Sequence, residues 1–358
     1  MYSQTVALLF LLNIFGSSYG QDNQSINLKS SYKIHTIAFY NLENLFDTID
    51  DPLTFDQEWT PEGKYRWSEK NFNQKVQKIS KTLASIGADL TGRPPAIIGV
   101  CEVENRSVLE KLINTEPLNK YNLRIIHYDS PDRRGIDVGL IYNPLYFVPT
   151  NTLSYELYLR YEKDFSKQYY TRDQLVISGL LQDQLIHLII NHWPSRRGGK
   201  KKSYSRRRAA ARLTRSISDS IFAKYPNAAL IIMGDLNDDP TDKSVLVDLG
   251  GKGLADQVKS RELFNPMMQM YKLGLGTLAW RDGWNLFDQI LVSKKLVTGK
   301  DNSFKIYKSG IFNPEFLTTK NGPYKGYPLR SMQNGQYTGG YSDHFPVYIQ
   351  LIRPVEKD

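Results

Sequence analysis

The chain has 358 residues, 41% of them hydrophobic, a formal charge of +9 and a single cysteine. That length and apolar content are enough for a substantial core and point away from a disordered chain, while the lone Cys101 excludes an internal disulfide framework. The positive balance calls for an anionic partner, whether nucleic acid, a phosphorylated small molecule or an acidic lipid surface.

Val6 to Phe15 are almost wholly apolar and Ser18-Tyr19-Gly20 lead into Gln21, so residues 1–20 read as a secretory signal, although Met1 to Thr5 hold no Lys or Arg. The run is too short to span a bilayer, no cysteine follows it for lipidation, and no later segment reads as transmembrane. The expectation is export to the periplasm or the medium, with no stable membrane anchor.

Residues 33–354 read as one domain without repeats or long linkers. Ile34 to Tyr40 is a β-type run. After Ser68, a predicted N-cap, Phe72, Val76, Ile79, Leu83 and Ile86 recur at helical spacing and predict a helix from Ser68 to Ala88. Pro95 to Val103, Val138 to Tyr142 and Leu185 to Asn191 read as strands, followed by a second helix with Ala209, Leu213, Ile217 and Ile221 on its buried face and an end near Tyr225-Pro226. Ala228 to Met233 returns to strand, Asp282-Gly283 marks a hairpin turn, and Phe345 to Ile352 is the last strand. Many strands and few helices imply sheets packed on each other with helices outside.

Acids and amides recur where an apolar strand gives way to a loop: Asn41, Glu43 and Asn44; Glu102, Glu104 and Asn105; Asp235, Asn237, Asp238 and Asp239; Asp343 and His344. Taken singly, each has an ordinary use as a cap or turn residue. Together they present oxygen ligands of the kind that hold magnesium or manganese, and no Cys or His spacing for zinc is present. Of the histidines, His35, His127 and His187 lie in or beside apolar runs and read as structural. His192 ends a strand in Asn191-His192-Trp193-Pro194, and His344 follows an acid at the start of the last strand, where a group that changes charge near neutral pH serves acid–base chemistry.

In chain order FYNLENLF, CEVEN, NHWPSR, MGDLNDDP, NLFDQILVS and GYSDHFP resemble the motifs of the endonuclease/exonuclease/phosphatase superfamily, from Phe39 to Pro346. The resemblance implies an α+β fold of four layers, an α/β/β/α sandwich of two mainly antiparallel or mixed sheets face to face, with a metal site at one end. It implies a phosphoric ester hydrolase dependent on Mg2+, with Mn2+ as a substitute. Asn41 and Glu102 match the metal-binding amide and carboxylate, Asp343 closes the site, and Glu43 is a further metal contributor. Asp235 and Asn237 match the pair that orients the attacking water and the phosphate. His344 matches the general base or phosphate-contacting imidazole, with Asp288 fixing its tautomer, and His192 the second histidine near the scissile phosphate.

The basic run from Arg196 and Arg197 through Lys202, continued by Arg206, Arg207, Arg208, Arg212 and Arg215, directly follows His192. Arg196 and Arg197 are therefore expected to contact substrate, in the way basic loops track a polyanion, the alternative for such runs being a solvated face; Arg134, in Arg133-Arg134-Gly135 before the strand Val138 to Tyr142, is a second candidate to face substrate, with a hairpin loop as its alternative. Tyr324, Lys325, Tyr327, Arg330, Tyr337 and Tyr341 interleave rings and cations before His344, as a base-stacking surface or an ordinary loop. The expected function is a monomeric endonuclease acting on DNA or RNA. The other readings are a phosphatase or a sphingomyelinase-like phospholipase of the same fold, and a binding protein that has lost catalysis. Inositol polyphosphate phosphatases of the superfamily carry Tyr-Arg after GDLN and a Cys-Asp-Arg segment where this chain has Phe287-Asp288-Gln289, which counts against that branch. A sphingomyelinase would need an exposed aromatic hairpin, and Trp280 and Trp284 read as core or site-wall residues.

Overall fold

A computed structural model describes residues 31–300 and 302–355; the signal expected at residues 1–20 lies outside them. In chain order the strands are β1 (Tyr32–Leu45), β2 (Ile97–Val103), β3 (Arg124–His127), β4 (Asp137–Tyr142), β5 (Phe147–Tyr155), β6 (Leu159–Tyr161), β7 (Asp164–Tyr169), β8 (Gln174–Leu181), β9 (Gln184–His192) and β10 (Ala229–Asp235). They continue as β11 (Gly251–Lys252), β12 (Leu263–Phe264), β13 (Leu278–Trp280), β14 (Gly283–Asn285), β15 (Asp288–Ser293), β16 (Lys305–Ile311), β17 (Met332–Gln333), β18 (Gln336–Tyr337) and β19 (Val347–Pro354). The α-helices are α1 (Glu69–Ser85), α2 (Ala88–Thr91), α3 (Arg106–Ile113), α4 (Tyr204–Lys224), α5 (Met267–Lys272) and α6 (Lys294–Thr298).

Two mixed sheets carry the fold, one of six strands in the order β16-β19-β1-β2-β4-β3 and one of seven in the order β11-β12-β15-β10-β9-β8-β5. Between them lies a core in which Ile37, Phe39 and Val347 from the first sheet meet Ile190, Met233 and Ile290 from the second. The central strands are apolar on both faces because a further layer covers each sheet. Over the first sheet, α1 and α3 bury Phe72, Val76, Ile79, Leu83, Val108 and Leu112. Over the second, α4 buries Ala210, Ala211, Ile217 and Phe222. The four-layer α/β/β/α expectation is met.

Ser68 caps α1 by accepting from Asn71 N at 3.3 Å, as the sequence predicts. The inner face of α4 departs from the predicted one: Ile217 is buried as expected, but the other buried positions are Arg207, Ala210, Ala211, Thr214, Ser218 and Phe222. The helix is rotated because its polar side chains have partners beneath. Thr214 Oγ1 donates within a network that reaches Gln174 and Asn191 at 3.0 Å each, and Arg207 Nε lies 2.7 Å from Asp238, both fully buried. Ala209, Leu213 and Ile221 pack at the margin. The hairpin turn also moves by one residue: Trp280 pairs with Gly283, and Arg281 and Asp282 form the turn, both with positive φ.

Candidate active site

Register places three side chains in one row. Asp235 ends β10 opposite His192 of the parallel β9 and opposite Asp288 of the antiparallel β15. A row of this kind depends on close strand approach at Gly234, where a Cβ would stand 2.3 Å from Asn191 O, so only glycine fits immediately before Asp235. Asn237, with φ of 50°, turns back so that its backbone N–H donates to Asp235 Oδ1 at 2.9 Å, while its side-chain amide donates to Trp193 O at 3.0 Å. It thus fixes both Asp235 and the chain leaving His192.

His344, immediately ahead of β19, meets this row from the first sheet. Its Nδ1 is 2.6 Å from Asp288 Oδ2, so Nε2 is the ring atom left to face a reacting group. Its backbone N–H donates to Ser342 Oγ at 3.1 Å, and Ser342 in turn donates to Asn41 O at 2.7 Å, which locks the segment to β1. Desolvation opposes charge on His344, but the Asp288 carboxylate, then Asp343 and Asp235, outweigh it and hold its pKa well above the ordinary value. His192 is the opposite case. Burial, reinforced by the charges of Arg172, Arg134 and His344, holds its pKa well below the usual range, so it is a neutral imidazole.

The first sheet supplies the oxygen ligands. Asn41 sits beside Cys101 in the β1–β2 register, and the ladder shifts after each of them. Glu43, Asn44 and Glu102 all adopt positive φ at this break, a conformation that is costly for residues other than glycine and that concentrates at functional sites. Asn41 Nδ2 donates to Glu102 Oε1 at 3.3 Å and to Asp235 Oδ2 at 3.1 Å; Asn44 N donates to Glu102 Oε2 at 2.9 Å. Neutral His192 Nε2 lies 3.7 Å from Glu102 and 3.6 Å from Asp235.

Glu43 and Asp343 are brought together differently from the expectation. The buried Glu43 carboxylate accepts from the Ser331 and Met332 amides and pairs with Arg330 at 3.4 Å, tying down the loop ahead of His344. Asp343, half-exposed, pairs with the same Arg330 at 3.1 Å. Glu43 therefore anchors a loop, while Asp343 stands at the rim with one oxygen 3.9 Å from His344 Nε2.

The expected substrate arginines also separate. Arg134 is half-exposed and pairs with Asp132 at 3.3 Å; although desolvation opposes it, Asp132 and then Glu102 raise its pKa. Arg196 is clamped by Asp238, Asp239 and Asp242 at 2.8–3.2 Å and lies over the Phe287 ring. Arg197 is exposed. Along α4, Arg208 and Arg212 converge on Asp248 and Arg215 pairs with Asp219, which leaves that face largely neutralised. Ser342 and Arg172, which pairs with Asp132 and donates to Trp193 O at 2.6 Å, belong to the site region without having been assigned to it from sequence, and Arg330, read there as part of a stacking surface or an ordinary loop, instead pairs with Glu43 and Asp343. Their signal lies in contacts between distant segments, which no local motif carries.

The residues fit a hard divalent cation. Glu102 and Asp235 approach each other across an amide and a neutral imidazole, and among the described residues neither carboxylate has a Lys or Arg partner. Desolvation accordingly raises the Asp235 pKa. Asn41 Oδ1 accepts one bond, from Glu43 N at 2.8 Å, and keeps a second lone pair. Glu102 and Asn41 would hold such a cation, with the rim carboxylate Asp343 as the third candidate, all of them oxygen donors of the kind suited to magnesium or manganese.

The fold has known counterparts. A structure from Bacteroides thetaiotaomicron described as an endonuclease/exonuclease/phosphatase family protein is 16% identical over 91% of this chain and 100% of its own, with a TM-score of 0.53. D. rerio TDP2 complexed with a single-strand DNA product is 14% identical over 89% and 98%, with a TM-score of 0.51. A mannosyl-6-phosphatase from B. thetaiotaomicron is 17% identical over 88% and 99%, with a TM-score of 0.50. At these identities the likeness concerns the fold. No curated protein sequence matches the chain. The model of the Endonuclease/Exonuclease/phosphatase family matches residues 36–353, and with the register-built acid row and the oxygen set opposite it, the chain belongs to that family of phosphoric ester hydrolases.

Proposed function

We propose that this chain is an exported, Mg2+-dependent phosphodiesterase, an endonuclease that hydrolyses nucleic-acid phosphodiester bonds. The observation that carries this reading is the meeting of one imidazolium, His344, and an acid pair without a Lys or Arg partner among the described residues, Glu102 with Asp235, across the end of the sandwich. Hydrolysis of a diester adds negative charge to an already anionic phosphate, and donors fixed in advance stabilise that charge.

A bound divalent cation supplies Lewis-acid neutralisation of the phosphate and its orientation. Asp235, held by Asn41 and Asn237, takes the proton of the attacking water as the new O–P bond forms and the P–O bond to the leaving oxygen breaks, that oxygen departing with the electron pair and taking its proton from solvent. His344 Nε2 donates to the phosphoryl oxygen while Asp288 keeps the ring charged and aligned. Neutral His192 accepts or donates a hydrogen bond at the opposite side of the phosphate. Arg134 supplies a positive rim for the phosphate that follows, and Arg197 extends it into solvent. The apolar run Val6 to Phe15 supports export.

One structural finding changes the standing of the lipid alternative: Trp280 is 66% exposed at its hairpin tip, not in the core. Its exposure removes the reason for setting a sphingomyelinase-like activity aside. The test is incubation of purified protein with plasmid DNA, RNA, sphingomyelin and inositol phosphates, with magnesium or with chelator. Metal-dependent cleavage of nucleic acid is the expected result, and lipid turnover without nucleic-acid cleavage would overturn the substrate assignment.

A further inference from the structure

Two hairpins rise from opposite flanks of the catalytic row. The first is β13–β14. Its stem is joined to the His344 segment through Phe345 N donating to Thr277 O at 2.8 Å and through Trp284 stacked on Phe345. Asp288, which holds His344, follows β14 by three residues. The turn of Arg281 and Asp282, both left-handed, suits a two-residue hairpin and ends in Trp280 with the Arg281 guanidinium over its ring at 5.6 Å. Asp282 accepts from Tyr327 OH at 2.7 Å, which steadies the turn.

The second is β6–β7, inserted where the β5–β8 ladder ends at Tyr155 and Gln174. Leu175 pairs with Ile190, so this stem leaves the sheet at the level of Asn191, next to His192. Arg160 lies over Tyr158 at 5.4 Å and Arg133 over Tyr170 at 5.7 Å. Tyr158 is 56% exposed and Tyr170 41%. Arg172, at the foot of this hairpin, ties it to Asp132 beside Arg133 and to the carbonyl after His192. The stems leave from β15 and β8, three strand spacings apart, or about 14 Å.

We infer that these two Arg–aromatic platforms, Trp280–Arg281 on one flank and Tyr158–Arg160 with Tyr170–Arg133 on the other, bracket the catalytic row and stack the bases of a single-stranded nucleic acid on either side of the scissile phosphate. The inference rests on the nuclease reading above and specifies it as action within a single strand. An exposed ring with a guanidinium on its face is matched to an unpaired base on an anionic backbone; in a duplex the base faces are already stacked and offer no surface to a ring. A chain of formal charge +9 complements that backbone. A lipid surface is the less favoured occupant, because the rings stand on two separate hairpins and each carries a cation.

The test uses the mature protein, a fluorescein-labelled oligothymidylate and a duplex of the same length. Trp280→Ala is expected to raise KM for the single strand about tenfold with kcat within about twofold, the loss of one stacked base. Trp280→Tyr should restore KM, whereas Trp280→Leu, equally apolar but without a ring, should not. Tyr158→Ala should act in the same direction. Equal affinity for duplex and single strand, full function of Trp280→Leu, or a Trp280-dependent attachment to phosphatidylglycerol vesicles with an unmoved oligonucleotide KM would each overturn the inference while leaving a metal-dependent nuclease in place. Absence of any cleavage of oligonucleotide or of bis(p-nitrophenyl) phosphate by the unaltered protein would overturn the nuclease reading, and this inference with it.

Discussion

The two sides of the site solve the problem of buried charge in opposite ways. On the second sheet and the strand that faces it, Asp288 and His344 form a matched pair at 2.6 Å. On the first sheet Glu102, together with Asp235 across the gap, has no Lys or Arg partner among the described residues: Asn41, the Asn44 and Asn237 amides and neutral His192 surround the two, and the charge of His344 reaches Asp235. The matched pair satisfies its own charge with or without ligand, whereas burial penalises the charge of Asp235, which has no Lys or Arg partner among the described residues. On the proposed reading, a site that holds one side fixed and leaves the other short of positive charge would draw in a metal and then a phosphate.

The largest effect separating the two sides comes from His344. His344→Ala should lower kcat by about 10³-fold, and because it leaves Asp288 buried without its partner, it should also cost roughly 3–5 kcal/mol of stability. Adding Asp288→Asn should recover most of that stability in a thermal melt and none of the activity. Asp235→Asn is the opposite probe. It should cost on the order of 10²-fold in kcat and yet raise the metal-free melting temperature, because it removes charge that desolvation penalises; a fall would show that the acids are already compensated.

A smaller effect distinguishes the two arginines expected to touch substrate. Arg134→Ala should raise KM severalfold with little change in the melting temperature. Arg196→Ala should do the reverse, since it strands Asp239 and takes one of two cations from Asp238 and from Asp242. The mildest effect is a tilt with pH. Glu104, which accepts from Asp47 N at 2.7 Å, is raised by burial to about 8. The folded state therefore holds a proton that the unfolded state has released, and stability falls as pH rises from about 4.5 towards 8. Glu104→Gln should flatten that slope in melts taken between those limits.

Much of the second sheet was readable in the sequence because it is written in strand register. Apolar runs that end in His192 and Asp235 and one that begins at Asp288 announce strands whose acid and histidine termini fall level, and the separate motifs become one row once the strands pair. The oxygen side was readable as residue types but not as geometry. Nothing local to Glu43 says that it will hold the Ser331 and Met332 amides and Arg330, some 290 positions away, and so its assignment as a ligand followed from its neighbours. Arg196 misled for a related reason: a basic run looks alike whether it is solvated or sunk among the acids of the Asn237-Asp238-Asp239 turn. Trp280 misled because a two-residue turn places its flanking side chain at a tip, where ring burial depends on what packs over the hairpin.

The most direct measurement of the central claim is hydrolysis of bis(p-nitrophenyl) phosphate during a stepwise magnesium titration, with the parent protein and with Glu102→Gln. Turnover in the parent should be abolished by chelator and restored saturably by magnesium, while Glu102→Gln should need far more metal or fail to respond. Turnover that persists in chelator, or a magnesium response unaltered by Glu102→Gln, would contradict it.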